Sequence, residues 1–129
     1  KRQPPRSTQV RSSAASDVDK RQGSNNVNTT AQAGYYNTID TIQIGDGNSD
    51  PVIQIGNGND EDSLQLGNSN NNDVLTIGDD NYAGNAQVGN DNDNGVIQLG
   101  NDNTALNGQV GDDNSNAIGQ GGEGNIAGA

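Results

Sequence analysis

The side chains able to do chemistry in this chain are almost all carboxylates and amides. Seventeen Asp and Glu residues stand against six Lys and Arg, with no histidine and no cysteine, for a net charge of −11. Asp79, Asp80, Asp91, Asp102, Asp112 and Asp113 fall in Asn/Asp/Gly runs, where carboxylate and carbonyl oxygens could ligate a hard cation such as calcium. These six are the metal-ligand candidates, although paired acids in turns are usually solvated. Acid–base or nucleophilic catalysis needs more than this. With lysine only at Lys1 and Lys20 and no apolar pocket to perturb an acid, the sequence predicts no enzyme and no cofactor, calcium being the one candidate ligand.

Amides at fixed spacing offer a different chemistry, the hydrogen-bonded ladder. "IQIGDGN" begins at Ile42 and "IQIGNGN" eleven residues later at Ile53, and the same step leads to "LQLGNSN", "LTIGDDN", "AQVGNDN", "IQLGNDN" and "GQVGDDN". Glycine recurs from Gly23 to Gly122 without a slip, asparagine follows three residues later from Asn26 to Asn125, and glutamine precedes the glycine by two in eight of ten units. Arg21 and Thr76 are the two departures. The candidate ladder residues are Gln43, Gln54, Gln65, Gln87, Gln98 and Gln109, with Asn48, Asn59, Asn70, Asn81, Asn92, Asn103 and Asn114. Gly45, Gly56, Gly67, Gly78, Gly89, Gly100 and Gly111 mark the corners, where the glycine and the asparagine three later are expected at positive φ.

The elements that would hold these residues follow from the aliphatic positions. Ile42 and Ile44, Ile53 and Ile55, Leu64 and Leu66, Leu75 and Ile77, Ala86 and Val88, and Ile97 and Leu99 flank the Gln or Thr, so each pair shares one face of a short strand. Glycine in every unit argues against a helix of the same period. The true period is 22: Val52, Val74, Val96 and Ile118 alternate with polar residues, as do Ala83, Ala105 and Ala127. The expected fold is an all-β solenoid of ten 11-residue units in five coils, rising roughly 24 Å.

Two packings fit this pattern. Burial energetics favour the aliphatic pairs inside, at about 1.5–3 kcal/mol each, with glutamines on the surface. The alternative points the amides inward and sets the aliphatic rows against a second solenoid. Either way Ile42, Ile44, Ile53, Ile55, Leu64, Leu66, Leu75, Ile77, Val88, Ile97 and Leu99 form the dry assembly core.

The recurrent Q-x-G-x-x-N, with N-x-A in alternate units (Asn81-Tyr82-Ala83, Asn103-Thr104-Ala105, Asn125-Ile126-Ala127), resembles the curlin repeat of bacterial curli subunits over residues 20–129. The resemblance implies a secreted β-solenoid that polymerises into extracellular amyloid fibres of a biofilm matrix, with roles in adhesion and with a nucleator or secretion partner. The pattern departs from the family at two and four residues before the Gln, where curlins are apolar and this chain is largely polar.

Composition and charge narrow the alternatives. At 27% hydrophobic, the chain would read as disordered without its repeat. All six basic residues lie in the first 21 positions with only Asp17 and Asp19, while the remainder carries fifteen acids and no base, which excludes nucleic acid as a partner of the repeats. Residues 1–19 read as an irregular basic arm, dispensable for assembly, so a chain starting at Gln22 should still polymerise, though more slowly. "DKR" at 19–21 matches a dibasic processing site and Asn28-Thr29-Thr30 a glycosylation sequon. No stretch spans a bilayer, and the absence of an initiator Met and of an apolar signal core suggests a processed product. The last unit, "GQGGEGNIAGA", stays in register and carries no cap, which favours head-to-tail stacking. The rival reading is a calcium-binding repeat adhesin or surface-layer solenoid, though the known calcium β-roll has a nonapeptide step. Stacked corner acids such as Asp80 with Asp102 and Asp91 with Asp113 should repel, so low pH or calcium is expected to favour the stack.

Overall fold

The structure, a computed structural model, describes residues 6–10 and 16–129. These form twelve strands: β1 Arg6–Val10, β2 Ser16–Gln22, β3 Val27–Ala33, β4 Thr38–Ile44, β5 Ser49–Ile55, β6 Asp60–Leu66, β7 Asn71–Ile77, β8 Tyr82–Val88, β9 Asp93–Asn101, β10 Thr104–Val110, β11 Ser115–Glu123 and β12 Ile126–Gly128. Odd strands make one parallel sheet in the order β1-β3-β5-β7-β9-β11, and even strands make the other, β12-β10-β8-β6-β4-β2. The chain therefore winds as a β-solenoid, two strands and two corners per coil. Gln43 pairs with Gln65 and Gln65 with Gln87, so the 22-residue period is the coil itself.

Most corners are four residues long, those after β9 and β11 being shortened to two by longer strands, and their backbone explains their composition. In the corner from Gly67 to Asn70, Gly67 has φ 123° and Ser69 has φ 56°. The left-handed residue is thus the second after the glycine, filled by Asp80, Asp91, Asp102 and Asp113 in later corners. Short polar residues tolerate this conformation. The asparagine three after the glycine was expected to share it, and does not; among the described residues only Asn25 carries positive φ as an asparagine, one place earlier. The repeat asparagine is fixed by its side chain instead.

The interior is the reverse of the packing that burial energetics favour. Gln43, Gln54, Gln65, Gln87 and Gln98 are fully buried, whereas Ile53, Ile55, Ile97 and Leu99 are 45–49% exposed. Leu64, Leu66 and Leu75 are half-buried on the same outward faces. The penalty for burying an amide applies only to an unpartnered one. A stack of similar coils supplies most of these amides with a partner one rung away, so the cost is largely removed and the alternating pleat sends the flanking aliphatics outward.

Inside, the two sets of alternating residues face each other. Val52, Val74, Val96 and Ile118 of the odd sheet pack with Ile39, Ala83 and Ala105 of the even sheet in one buried cluster, with Ala127 against it. Beside that file runs a polar one: Thr41 donates to Asp50 at 2.6 Å, and Asn94 donates to Asn85 at 2.7 Å. Among the described residues seven buried side chains are aliphatic and twenty-seven are polar or charged, so the interior is mostly hydrogen-bonded.

The arm is shorter than its composition suggested. Ser16–Asp19 belong to β2 and pair in register with β4, and Arg6–Val10 pairs with β3. Lys1, Arg2, Pro4, Pro5 and Arg11 lie outside the described residues. A strand here needs no repeat motif, because β3 and β4 already present a template edge. The dibasic pair sits within β2, Lys20 exposed and Arg21 turned inward, so a protease would meet paired strand rather than a loop. Asn28 of the sequon is 1% exposed, leaving no room for a glycan in the folded coil.

Candidate functional site

The repeat chemistry resolves into columns running along the solenoid axis. In the even sheet Gln43 donates its Nε2 to Gln65 Oε1 at 2.8 Å, Gln65 to Gln87 at 3.0 Å, and Gln87 to Gln109 at 3.0 Å. Each Nε2 also donates across the coil to a backbone carbonyl, as Gln65 does to Ser49 at 2.7 Å and Gln87 to Asn71 at 2.7 Å. One amide thus ties together two coils and two sheets. In the odd sheet Gln32 donates to Gln54 and Gln98 to Gln120, while Thr76 fills its rung with a hydroxyl that donates to Gln98 at 3.3 Å.

The asparagine column runs the opposite way. Asn70 donates both its backbone N–H and its Nδ2 to Asn48 Oδ1, at 3.0 and 3.1 Å, and its Nδ2 also reaches the carbonyl of Gly89 at 3.0 Å. The same set recurs at Asn59, Asn81, Asn92 and Asn103. Asn114, on the last coil of its column, donates to Asn92. All seven asparagines and all six glutamines of the sequence ladder occupy these columns.

The corner acids have a related use. Asp79 Oδ1 accepts the backbone N–H and the side-chain amide of Asn57 at 2.7 and 3.1 Å, and Asp112 accepts the same pair from Asn90. Carboxylates here replace an amide as acceptor, and alternation with asparagine keeps their charges apart. Asp80 and Asp102 sit one coil apart, as do Asp91 and Asp113, all four exposed in the left-handed corner position. Among the described residues no three acids converge on a point that could hold a metal ion.

Two carboxylates that the sequence reading passed over are the strongest electrostatic feature. Asp50 and Glu61 are both fully buried. Asp50 accepts from Thr41 and, at 2.7 Å, from Asn72, whose amide also lies 3.4 Å from Glu61 Oε1. Asn85 donates to the same Glu61 oxygen at 3.3 Å, while Oε2 has no hydrogen-bond partner. Burial pushes the Asp50 carboxyl up to about 6, against the pull of its hydrogen bonds and with a further push from Asp19. Burial first, and then the charge of Asp50, pushes Glu61 well above the ordinary carboxylate range. The signal was present in the sequence, since both stand four residues before a ladder Gln, a place filled by Ile39 and Ala83 on either side of Glu61 and by Asn28 and Asn72 on either side of Asp50. Only the inward direction of that position was missing.

Each sheet carries an aliphatic ribbon on its outer face. Ile53, Leu75 and Ile97 align on adjacent odd strands, with Ile55, Ile77 and Leu99 beside them. Ile42 with Leu64 and Ile44 with Leu66 do the same on the even sheet. All eleven predicted assembly residues therefore lie on outward faces, divided between two ribbons on opposite sides of the solenoid.

No protein-family model, curated protein or solved structure matches this chain.

Proposed function

We propose that this protein is a structural subunit that assembles head to tail into extracellular amyloid-like fibres, serving a surface or biofilm matrix and adhesion. The observation that carries the reading is the translational identity of the coils. Backbone pairs, glutamine amides and asparagine amides all repeat at one 22-residue step. Among the described residues the edge strands are β1 and β11 in one sheet and β12 and β2 in the other, each with one neighbour. An edge built from such ladders offers a second copy the same bonds that hold the coils together. Heterologous stacking of this kind does not close and yields a filament. The resemblance to curlin repeats supports the same reading, and with it secretion and assistance from a nucleator or secretion partner.

The outward ribbons add a lateral contact. Contiguous apolar surface on both faces of a narrow solenoid favours pairing with another solenoid, each covered aliphatic side chain contributing up to about 1.5–3 kcal/mol. Leu64 and Leu66 lie at the middle of the even-sheet ribbon. Replacing both with Asp leaves the interior untouched, so the variant should keep its β-sheet circular dichroism yet lose filament formation. Filaments growing at the wild-type rate in a sedimentation or dye-binding assay would show that the ribbons take no part in assembly.

A further inference from the structure

The first coil differs from every other in what it places inside. At the rung where the even sheet carries Gln43, Gln65, Gln87 and Gln109, β2 carries Arg21. Its guanidinium donates to the carbonyl of Asn26 at 3.1 Å and pairs with Asp19 at 2.8 Å. Gln43 Oε1, the acceptor that each later rung fills with an amide from the rung before it, is left buried with no hydrogen-bond partner. The glutamine ladder of the even sheet stops at β4.

The other inward positions change in the same sense. Asp17 and Asp19 pair with Ile39 and Thr41 of β4, so charge replaces an aliphatic and a hydroxyl group. The register changes as well: β1 pairs with β3 at an offset of 21 residues, Arg6 against Val27, while β2 keeps the offset of 22. A coil that lacks the ladder glutamine of its even strand and carries an odd register covers the edge of β3 and β4 without reproducing the pattern of that edge.

We infer that the first coil, β1 with β2, is a cap seated on the edge that would otherwise receive another copy of this chain. This rests on the self-assembly reading and specifies its interface. The partner for the uncovered edge is the last coil of a second copy. Gln98 donates to Gln120 along the odd-sheet ladder, and Gln120 donates in turn only to the carbonyl of Thr104. With β1 displaced, β3 presents Gln32 one 22-residue step beyond Gln120, and the ladder runs on through the junction. Covering an edge with a coil that does not continue the repeat keeps a solenoid from stacking end to end.

Two variants test the cap independently of each other. A chain starting at Gly23 lacks it. The triple substitution Asp17→Ile, Asp19→Thr, Arg21→Gln keeps it but gives β2 the inward residues of β4. Filament growth of both is compared with the full chain at about 0.15 M salt, where screening within ~8 Å limits the effect of lost charge. The truncated chain should elongate at least about tenfold faster, the effect of one to two restored hydrogen bonds per junction, whereas the triple variant, which seats β2 more firmly on β4 by filling the Gln43 acceptor, should elongate more slowly than the full chain. Equal or slower growth of the truncated chain, or faster growth of the triple variant, with the full chain still forming filaments, overturns the cap and leaves self-assembly standing. If the truncated chain fails to fold, the triple variant alone decides, by the same comparison. If none of the three forms filaments, the cap and the self-assembly reading fall together.

Discussion

Gly56→Ala should destabilise the solenoid by about 4 kcal/mol or more, enough to unfold the central coils at room temperature. Gly56 has φ 131°, and a Cβ built there would overlap the carbonyl oxygen of Gly78 in the next coil. Two penalties combine. The backbone conformation is one that side-chain-bearing residues rarely adopt, and the obstacle is stacked main chain that cannot turn aside. Gly111 supplies the contrast: its φ is 118°, but the nearest atom to an added Cβ is Asn114 Nδ2 at 3.4 Å. Gly111→Ala should therefore cost only the conformational part, about 1–3 kcal/mol. In a head-to-tail filament a further coil would stack on Gly111, so the same substitution should leave a folded monomer that does not elongate. Thermal unfolding by circular dichroism and a seeded growth assay separate the two variants, and equal stability losses would mean that the coils do not stack as described.

The second large effect concerns the buried acids. Folding raises the affinity of Asp50 and Glu61 for protons, so the folded chain binds more protons than the unfolded chain between their unfolded and folded values. Stability then falls as pH rises. For Asp50 the loss runs from its ordinary 3.8 to about 6, on the order of 3 kcal/mol, and for Glu61 it begins near 4.5 and continues to higher pH. The solenoid should be most stable in mild acid and weaken toward neutrality. Glu61→Gln removes one carboxylate while preserving shape, and should raise stability at pH 7 by about 2 kcal/mol and flatten the profile. Denaturant midpoints at pH 4.5, 6 and 7.5 are the check; a wild-type midpoint that rises with pH, or a Gln variant less stable at pH 7, would refute the assignment. Asp80 with Asp102 and Asp91 with Asp113, the corner columns singled out in the sequence, are exposed, whereas Asp50 and Glu61 are buried.

The period, the strand positions, the corners and the 22-residue coil could all be read from the chain, because each depends on local geometry repeated without a slip. Even the core was visible in outline: the alternation that singled out Val52, Val74 and Val96 against Ala83 and Ala105 marks the two walls of the aliphatic file. The direction of the Gln face was not legible from transfer energies. Those energies treat each side chain alone, whereas Gln65 is held by Gln43, Gln87 and the carbonyl of Ser49, partners supplied by the fold itself. The first coil was missed for the opposite reason. Asp17, Asp19 and Arg21 continue the inward alternation, but their charge hides it from any search for apolar periodicity.

The central claim is that the coils of one subunit continue into the next. Filaments grown from the full chain should be imaged at a resolution that separates strands along the axis. The account predicts unbranched filaments in which strands lie across the axis about 4.8 Å apart, with the two-sheet coil preserved from one subunit to the next. Strands running along the fibre, or a chain that stays monomeric at high concentration under mildly acidic conditions, would contradict it.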